Sequence, residues 1–230
     1  MPELKHDYPK VKNADRISYG GSQTWADSKS IERCGCGLVA SADLLLYLHR
    51  WHFDGDAAPE ISASWPIERG QYEKLMKRLE RYMPIIPPFG MTGFGLAIGL
   101  NLYFARYKMP YRIRWGVPAE KLWQRIEEML SKDIPVILAI GPNFPIIWQK
   151  NRVPFYIRTQ GGDYVKQSSA KSHYVSVTGM DGEYLRISSW GRMYYVRRSE
   201  YEEYAKAHSN YLVTNIGYVT KKEALPNDKN

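Results

Sequence analysis

The stretch that decides the fold is residues 33–48, which read RCGCGLVASADLLLYL. It contains both cysteines of the chain, Cys34 and Cys36, and leads from a glycine-punctuated loop into the most apolar segment of the sequence. After Gly37 apolar side chains recur at helical spacing, and further leucines fill the other side. A helix that is apolar on nearly all sides is a buried one. The sequence therefore predicts a central buried helix over about 36–51, with Cys36 in its first turn.

A cysteine in the first turn of a helix suits nucleophilic chemistry. Backbone N–H groups and the helix dipole stabilise a thiolate there, and we expect them to do so for Cys36. Cys34 would lie in the preceding loop. A bridge between the two would close a very small strained ring, so both are interpreted as thiols. The alternative is that both are small buried hydrophobic side chains, as free cysteines usually are.

The composition is that of a soluble globular protein with a substantial core. The chain has 230 residues, of which 44% are hydrophobic and 24% charged, which is ordinary for this class. The aromatic content of 13% argues against a disordered chain. The net charge is +8, but Lys and Arg are scattered, so we expect no nucleic-acid partner. Two cysteines exclude a disulfide scaffold and a four-cysteine zinc site.

The sequence leaves the compartment and the oligomeric state open. Residues 1–6 lack the apolar run of a secretory signal, which fits either a cytoplasmic chain or a trimmed exported protein. No stretch approaches the roughly 18 apolar residues of a membrane span, so none is expected.

The end of the central helix carries one pattern of metal-ligating residue types. Its members are His49, His52, Asp54 and Asp56. A metal site would use such residues, but histidines at a helix C-terminus are explained equally well by the helix dipole. We therefore expect neither a metal nor a cofactor.

The period of the apolar pattern changes along the chain. The first half predicts helices at about 36–51, 67–82, 92–107 and 118–131, and strands at about 111–115 and 134–140. After a loop over 142–162, the second half predicts strands at about 172–179, 184–189, 192–197 and 211–219, and a helix at about 199–208. Because no linker separates the halves, the sequence predicts one α+β domain over 1–230, with a helix-rich lobe at about 20–141 and a sheet-rich lobe at about 163–220.

A second informative stretch, residues 172–191, reads SHYVSVTGMDGEYLRISSWG. Asp-Gly at 181–182 is a strong signal for a two-residue hairpin turn. If these two residues form the turn, His173 lies opposite Trp190, and Ser188 is the diagonal neighbour of His173 on the same face. Ser189 then lies on the other face. A shift of the register by one residue would reverse this assignment.

Together these motifs resemble the papain-like cysteine peptidases, particularly the bacterial, peptidase C39-like branch. The resemblance covers about residues 20–220 and rests on Cys-Gly at the mouth of a buried helix, a late His opening a strand, and a following Ile-Ser-Ser-Trp-Gly. The spacing of Cys36 and His173 fits the roughly 130–150 residues of that family. The resemblance implies a papain-like fold. In that fold a helical N-terminal lobe, with its central buried helix, packs on a C-terminal lobe made of antiparallel sheet.

The resemblance also implies roles for individual residues. Cys36 would be the nucleophile and His173 its general base, later the acid. The Cys36 backbone N–H would form half of an oxyanion hole. Gln23 would supply the other half, provided that residues 24–33 form an inserted loop, and Trp190 would line the substrate site.

One position departs from the family pattern. Ser188 takes the place of the Asn or Asp that orients the catalytic histidine. A serine hydroxyl accepts a hydrogen bond from an imidazole N–H, but it is shorter and holds no charge. Asp181 is the acidic residue nearest to His173 in the sequence, although its position favours a role in the turn.

These roles predict a thiol hydrolase that cleaves a peptide or amide bond of a peptide or protein substrate through an acyl-enzyme. Because of the altered position, the alternative is a catalytically impaired papain-like domain that binds a peptide or protein partner in the same cleft. A transferase that makes or exchanges amide bonds would use the same residues with a different acceptor.

Overall fold

The computed structural model describes residues 1–55, 58, 60–61, 65–87 and 89–222. These residues form a large antiparallel sheet with helices packed against it. The predicted α+β class is therefore confirmed.

Six α-helices lie within the described part of the chain. They are α1 (Lys29–Cys34), α2 (Cys36–Trp51), α3 (Arg69–Glu80), α4 (Gly93–Arg106), α5 (Leu122–Ser131) and α6 (Arg198–Glu203). Short helical turns add Gln23–Trp25, Ala119–Lys121 and Tyr204–His208. None of these helices has the length and apolar character needed to cross a membrane.

Eleven strands form two sheets in the described residues. They are β1 (Lys10–Asn13), β2 (Arg16–Tyr19), β3 (Ile67–Glu68), β4 (Tyr111–Trp115), β5 (Val136–Ile140), β6 (Val153–Arg158), β7 (Tyr164–Ala170), β8 (His173–Asp181), β9 (Tyr184–Ser189), β10 (Arg192–Arg197) and β11 (Ile216–Lys221). The small sheet has the order β2-β1-β3 and the large one β4-β11-β5-β8-β9-β10-β6-β7. The large sheet thus takes strands from both halves of the sequence.

Helix α2 lies at the centre of the molecule, as its sequence predicts. Every residue from Cys36 to Leu48 is buried. The helix packs on the strands β8 and β5 and on the helices α3 and α4. Contacts with four elements explain why its apolar residues are not confined to one stripe.

Several other elements also match their sequence signals. Thr92 caps α4, because its hydroxyl accepts a hydrogen bond from the N–H of Gly95 at 3.0 Å. All five residues of β5 are buried, as expected for a continuous apolar run inside a sheet.

The predicted loop over 142–162 is wrong in its second part, because it contains β6, and β7 follows directly after it. Pro154 in β6 is a residue that disfavours a strand, and most of β7 is exposed or half-buried and polar. The proline in β6 and the polar composition of β7 therefore hide both strands from a sequence-based prediction.

The predicted register of the β8–β9 hairpin is also wrong. Asp181 pairs with Tyr184, so the turn residues are Gly182 and Glu183. The pairing near the turn is thus two residues from the predicted one, and a bulge between Val177 and Gly179 brings it back by one, which leaves a net shift of one residue. Beyond the bulge Ser176 lies opposite Ser188, which turns Ser189, and not Ser188, to the face of His173.

Candidate functional site

Two glycines allow other segments to approach the start of α2 closely. Gly35 separates α1 from α2, and a Cβ atom there would lie only 2.4 Å from the carbonyl oxygen of Ile31. A Cβ atom on Gly37 would lie 2.6 Å from the sulfur of Met91. The Cys-Gly-Cys-Gly motif therefore sets Cys36 at the first position of α2, beneath the chain that leads into α4.

The predicted site residues meet around one small pocket. Its wall includes all five of them, namely Gln23, Cys36, His173, Ser188 and Trp190. Cys36 and His173 are only 9% and 8% exposed. Residues distant in sequence thus converge between the start of α2 and the strands β8 and β9.

The imidazole of His173 is held on two sides. Its Nε2 atom lies 2.8 Å from the hydroxyl of Ser189, at hydrogen-bond distance. Its ring stacks on Trp190, with the ring centroids 4.6 Å apart. Trp190 follows β9 with a φ of +50°, a left-handed conformation that is costly for a bulky residue. The backbone at the end of β9 therefore serves to bring the indole over the imidazole.

The neighbouring serine has a different partner. Ser188 donates a hydrogen bond to the carbonyl oxygen of Tyr19 at 2.9 Å. The contact with His173 that the sequence assigned to Ser188 is thus made by Ser189, because of the hairpin register described above. Asp181 does not line the pocket: its carboxylate accepts hydrogen bonds from Arg158 and Tyr164.

Gln23 reaches the pocket across an inserted helix. Residues 24–33 include most of α1, and the Nε2 atom of Gln23 donates to the carbonyl oxygen of Glu32 at 2.9 Å. A carboxamide carries two N–H donors. The bond to Glu32 fixes the side chain and uses one of them, which leaves a donor for a ligand.

Burial keeps both reactive side chains neutral. Loss of solvent raises the pKa of the Cys36 thiol to about 11, and hydrogen bonds from the backbone of Tyr174 and Gly37 offset only part of this. Loss of solvent also lowers the pKa of His173 to about 4. Burial thus acts against a Cys36 thiolate in the resting site, although the backbone hydrogen bonds at the start of α2 act in its favour, as expected.

Sequence reasoning missed Asp43, which lines the same pocket. It lies two turns after Cys36 on the same side of α2. Its carboxylate accepts hydrogen bonds from Tyr8 and Tyr72 and from the backbone N–H of Gly21. Burial raises its pKa to about 7, although these donors act in the opposite direction. A single acidic residue within an otherwise apolar helix was the signal available in the sequence.

Among the described residues, the metal-ligating side chains predicted at the end of α2 do not come together in one cluster. The Nε2 atom of His49 is buried without a hydrogen-bond partner among the described residues, and its ring packs against Phe53. His52 instead meets His6 and Asp133. Asp56 lies outside the described residues.

The α+β class is a property of the structure, whereas membership of the papain-like superfamily stays a prediction from the motifs. Comparisons of the chain with protein-family models, with curated proteins and with solved structures found no match.

Proposed function

We propose that the protein is a papain-like thiol hydrolase that cleaves a peptide or amide bond through Cys36 and His173. The observation that carries the proposal is the convergence of Cys36, at the first turn of a buried helix, with an imidazole held by Ser189 and Trp190 in one pocket. A nucleophile, a base and a group that orients the base are the parts that covalent catalysis requires.

The proposed reaction starts from the neutral pair. With the His173 proton on Nε2 and donated to Ser189, Nδ1 accepts the thiol proton while the sulfur attacks the carbonyl carbon. The N–H of Cys36 and the free N–H of Gln23 donate to the resulting oxyanion. Collapse of this intermediate breaks the C–N bond, and His173 protonates the leaving amine. His173 then removes a proton from water, whose oxygen attacks the thioester carbonyl carbon. The C–S bond breaks, the acid is released, and His173 returns the proton to the Cys36 sulfur.

Burial affects this proton transfer in two ways. It disfavours the thiolate and the imidazolium individually, but the two charges form side by side, where their attraction is strong because water is excluded. Ser189 stabilises the imidazolium less than a carboxylate would, since its hydroxyl is uncharged. We therefore expect a slow enzyme whose Cys36 is activated during substrate binding and not at rest.

A peptide vinyl sulfone tests the proposal, because it reacts with a cysteine that is activated by a histidine. We expect a covalent adduct on Cys36, located by peptide mass mapping and absent in Cys36→Ala. In His173→Ala the adduct should form at least tenfold more slowly. Cys34→Ala is the matched control and should react like the wild type. An adduct on Cys34, or an unchanged rate in His173→Ala, would contradict the proposal.

A second candidate function is binding of a peptide or protein partner without turnover. The raised pKa of Cys36 and the serine at the orienting position favour it. It predicts that Cys36→Ala binds a peptide selected from a library as tightly as the wild type does, and that mass spectrometry detects no cleavage of that peptide. Detection of an acyl adduct on Cys36 would exclude it.

A further inference from the structure

A second cluster of reactive side chains lies outside the Cys36 pocket. It consists of His6 from the N-terminal segment, His52 at the end of α2 and Asp133 in the turn between α5 and β5. The Nδ1 atom of His6 lies 2.5 Å from Oδ2 of Asp133, and the Nε2 atom of His52 lies 3.1 Å from the same oxygen and 2.7 Å from the backbone carbonyl oxygen of Asp133. An ion at this position would replace the protons of these hydrogen bonds. One potential ligand atom from each residue lies within 4.8 Å of the other two.

We propose that these three residues bind a divalent transition-metal ion, with Zn²⁺ as the preferred ion. Two imidazole nitrogens and one carboxylate oxygen form a ligand set that Zn²⁺ uses in proteins, with water or another ligand in the fourth position. Imidazole ligands favour zinc and its neighbours in the first row over Mg²⁺ and Ca²⁺, which prefer oxygen. The inference is independent of the proposed hydrolase.

The surroundings of Asp133 are those of an oriented ligand. Its second oxygen, Oδ1, accepts hydrogen bonds from the hydroxyl of Tyr47 at 2.5 Å and from the backbone N–H of Lys5 at 2.6 Å. These donors leave Oδ2 directed at the two imidazoles. Hydrogen bonds of this kind to a ligating carboxylate fix its orientation and strengthen metal binding.

The two histidines are also positioned, and an ion has a path to them. The ring of His6 stacks on Trp51 with a centroid distance of 4.5 Å. The side chain of Asp133 is only 5% exposed, whereas that of His6 is 43% exposed. The cluster is therefore closed on the protein side and open on the side of His6, where water can complete the coordination.

Metal binding at this position would join three parts of the fold. The N-terminal segment already lies along β8, because Leu4 donates a hydrogen bond to the carbonyl oxygen of Thr178 and Met180 donates to that of Pro2. An ion held by His6, His52 and Asp133 would fasten this segment to the end of the central helix. A ligand that binds only the folded state stabilises it.

Thermal unfolding with Zn²⁺ tests the inference in a Cys34→Ser/Cys36→Ser variant, which removes thiols as competing ligands. At a Zn²⁺ concentration of about 100 times the dissociation constant, we expect the Tm to rise by about 5–10 °C. The rise should disappear in His6→Ala and in His52→Ala, with folding of each checked by circular dichroism. His49→Ala, which alters a histidine of the same helix outside the cluster, should keep it.

Co²⁺ provides a second readout that does not depend on stability. Replacing Zn²⁺ with Co²⁺ should give the visible d–d absorption of a tetrahedral site with nitrogen and oxygen ligands, and the band should be lost in His6→Ala. Retention of the Zn²⁺ effect in either His6→Ala or His52→Ala would overturn the inference. So would absence of both the Tm shift and the Co²⁺ band, which would identify the cluster as a hydrogen-bonded clamp.

Discussion

Ser188 and Ser189 are neighbours in the sequence, yet their hydroxyl groups serve different parts of the molecule. The hydroxyl of Ser189 is hydrogen-bonded to the imidazole of His173, whereas that of Ser188 donates a hydrogen bond to the backbone carbonyl of Tyr19. A substitution at each position therefore separates the orientation of the base from the support of the pocket wall.

Ser189→Ala should lower kcat/KM by about fivefold, because it removes one hydrogen bond of roughly 1 kcal/mol that orients the imidazole. Ser188→Ala removes a hydroxyl of the same size from the adjacent position. It should lower the free energy of unfolding by about 1 kcal/mol and leave the rate of Cys36 modification by the vinyl sulfone near that of the wild type. Equal kinetic effects of the two substitutions would show that the contact with the imidazole has no catalytic importance.

The buried imidazole of His173 should make stability depend on pH. Its pKa is lowered from an ordinary 6.5 to about 4 by burial, so its contribution is complete above pH 6.5 and is lost as the pH falls towards 4. The loss amounts to about 2 kcal/mol between pH 6.5 and 5.

Urea unfolding of wild type and His173→Gln at several pH values measures this contribution. The difference between the two isolates His173 from Asp43, whose raised pKa acts in the opposite direction, and from His49, whose pKa is also lowered by burial. We expect the variant to lose less stability than the wild type as the pH falls to 5. A difference that is constant with pH would contradict the account.

At the scale of elements, the junction of α1 and α2 depends on the absence of a side chain. A Cβ atom at position 35 would meet the backbone oxygen of Ile31, which cannot move without distorting α1. The atom that a Cβ at position 37 would meet is the sulfur of Met91, near the end of a flexible side chain. The two glycines of the motif are therefore not equivalent.

Gly35→Ala should lower the free energy of unfolding by about 1–3 kcal/mol through overpacking. Gly37→Ala introduces the same methyl group within the helix, where alanine is intrinsically favoured over glycine by about 1 kcal/mol. Repacking of Met91 should therefore leave its stability close to that of the wild type. Urea unfolding checks both values, and a larger loss for Gly37→Ala would contradict the argument.

Elements with a long or regularly spaced set of apolar residues could be predicted from the sequence. Features that depend on how the strands pair could not. α2 and β5 are recognisable because burial on several sides leaves a continuous apolar run. β6 contains a proline and β7 is mostly polar, so neither has the sequence of a typical strand. The bulge beside Gly179 leaves no mark in the residue types. The identity of Cys36 and His173 as site candidates could therefore be predicted, whereas the choice between Ser188 and Ser189 required the pairing of the strands.

At the scale of the whole molecule, the site joins the beginning of the central helix to the middle of the large sheet. The two sides are linked over Cys36 by Tyr174, whose hydroxyl donates to the carbonyl oxygen of Met91 at 3.0 Å. Met91 in turn packs on Gly37. In the proposed reaction a substrate enters only when this cover of Tyr174 and Met91 moves, since the pocket is small and Cys36 and His173 are buried.

Tyr174→Phe should loosen the cover while keeping the ring in place. Loss of one hydrogen bond of about 1 kcal/mol would raise the population of the open state about fivefold. The rate of Cys36 alkylation by iodoacetamide should rise by the same factor. Tyr195→Phe, which removes an exposed hydroxyl from β10, should leave the rate unchanged. Equal rates in Tyr174→Phe and the wild type would show that the cover opens elsewhere.

The bulge in the β8–β9 hairpin has a practical consequence for protein engineering. The bulge in β8 decides which serine lies beside the histidine. A variant library designed from motif alignment would therefore diversify position 188, whose side chain only holds the backbone of Tyr19. Diversifying position 189 would instead vary the group beside the imidazole. The pairing of the backbone beyond the bulge, where Ser176 lies opposite Ser188, thus sets which codon selection acts on.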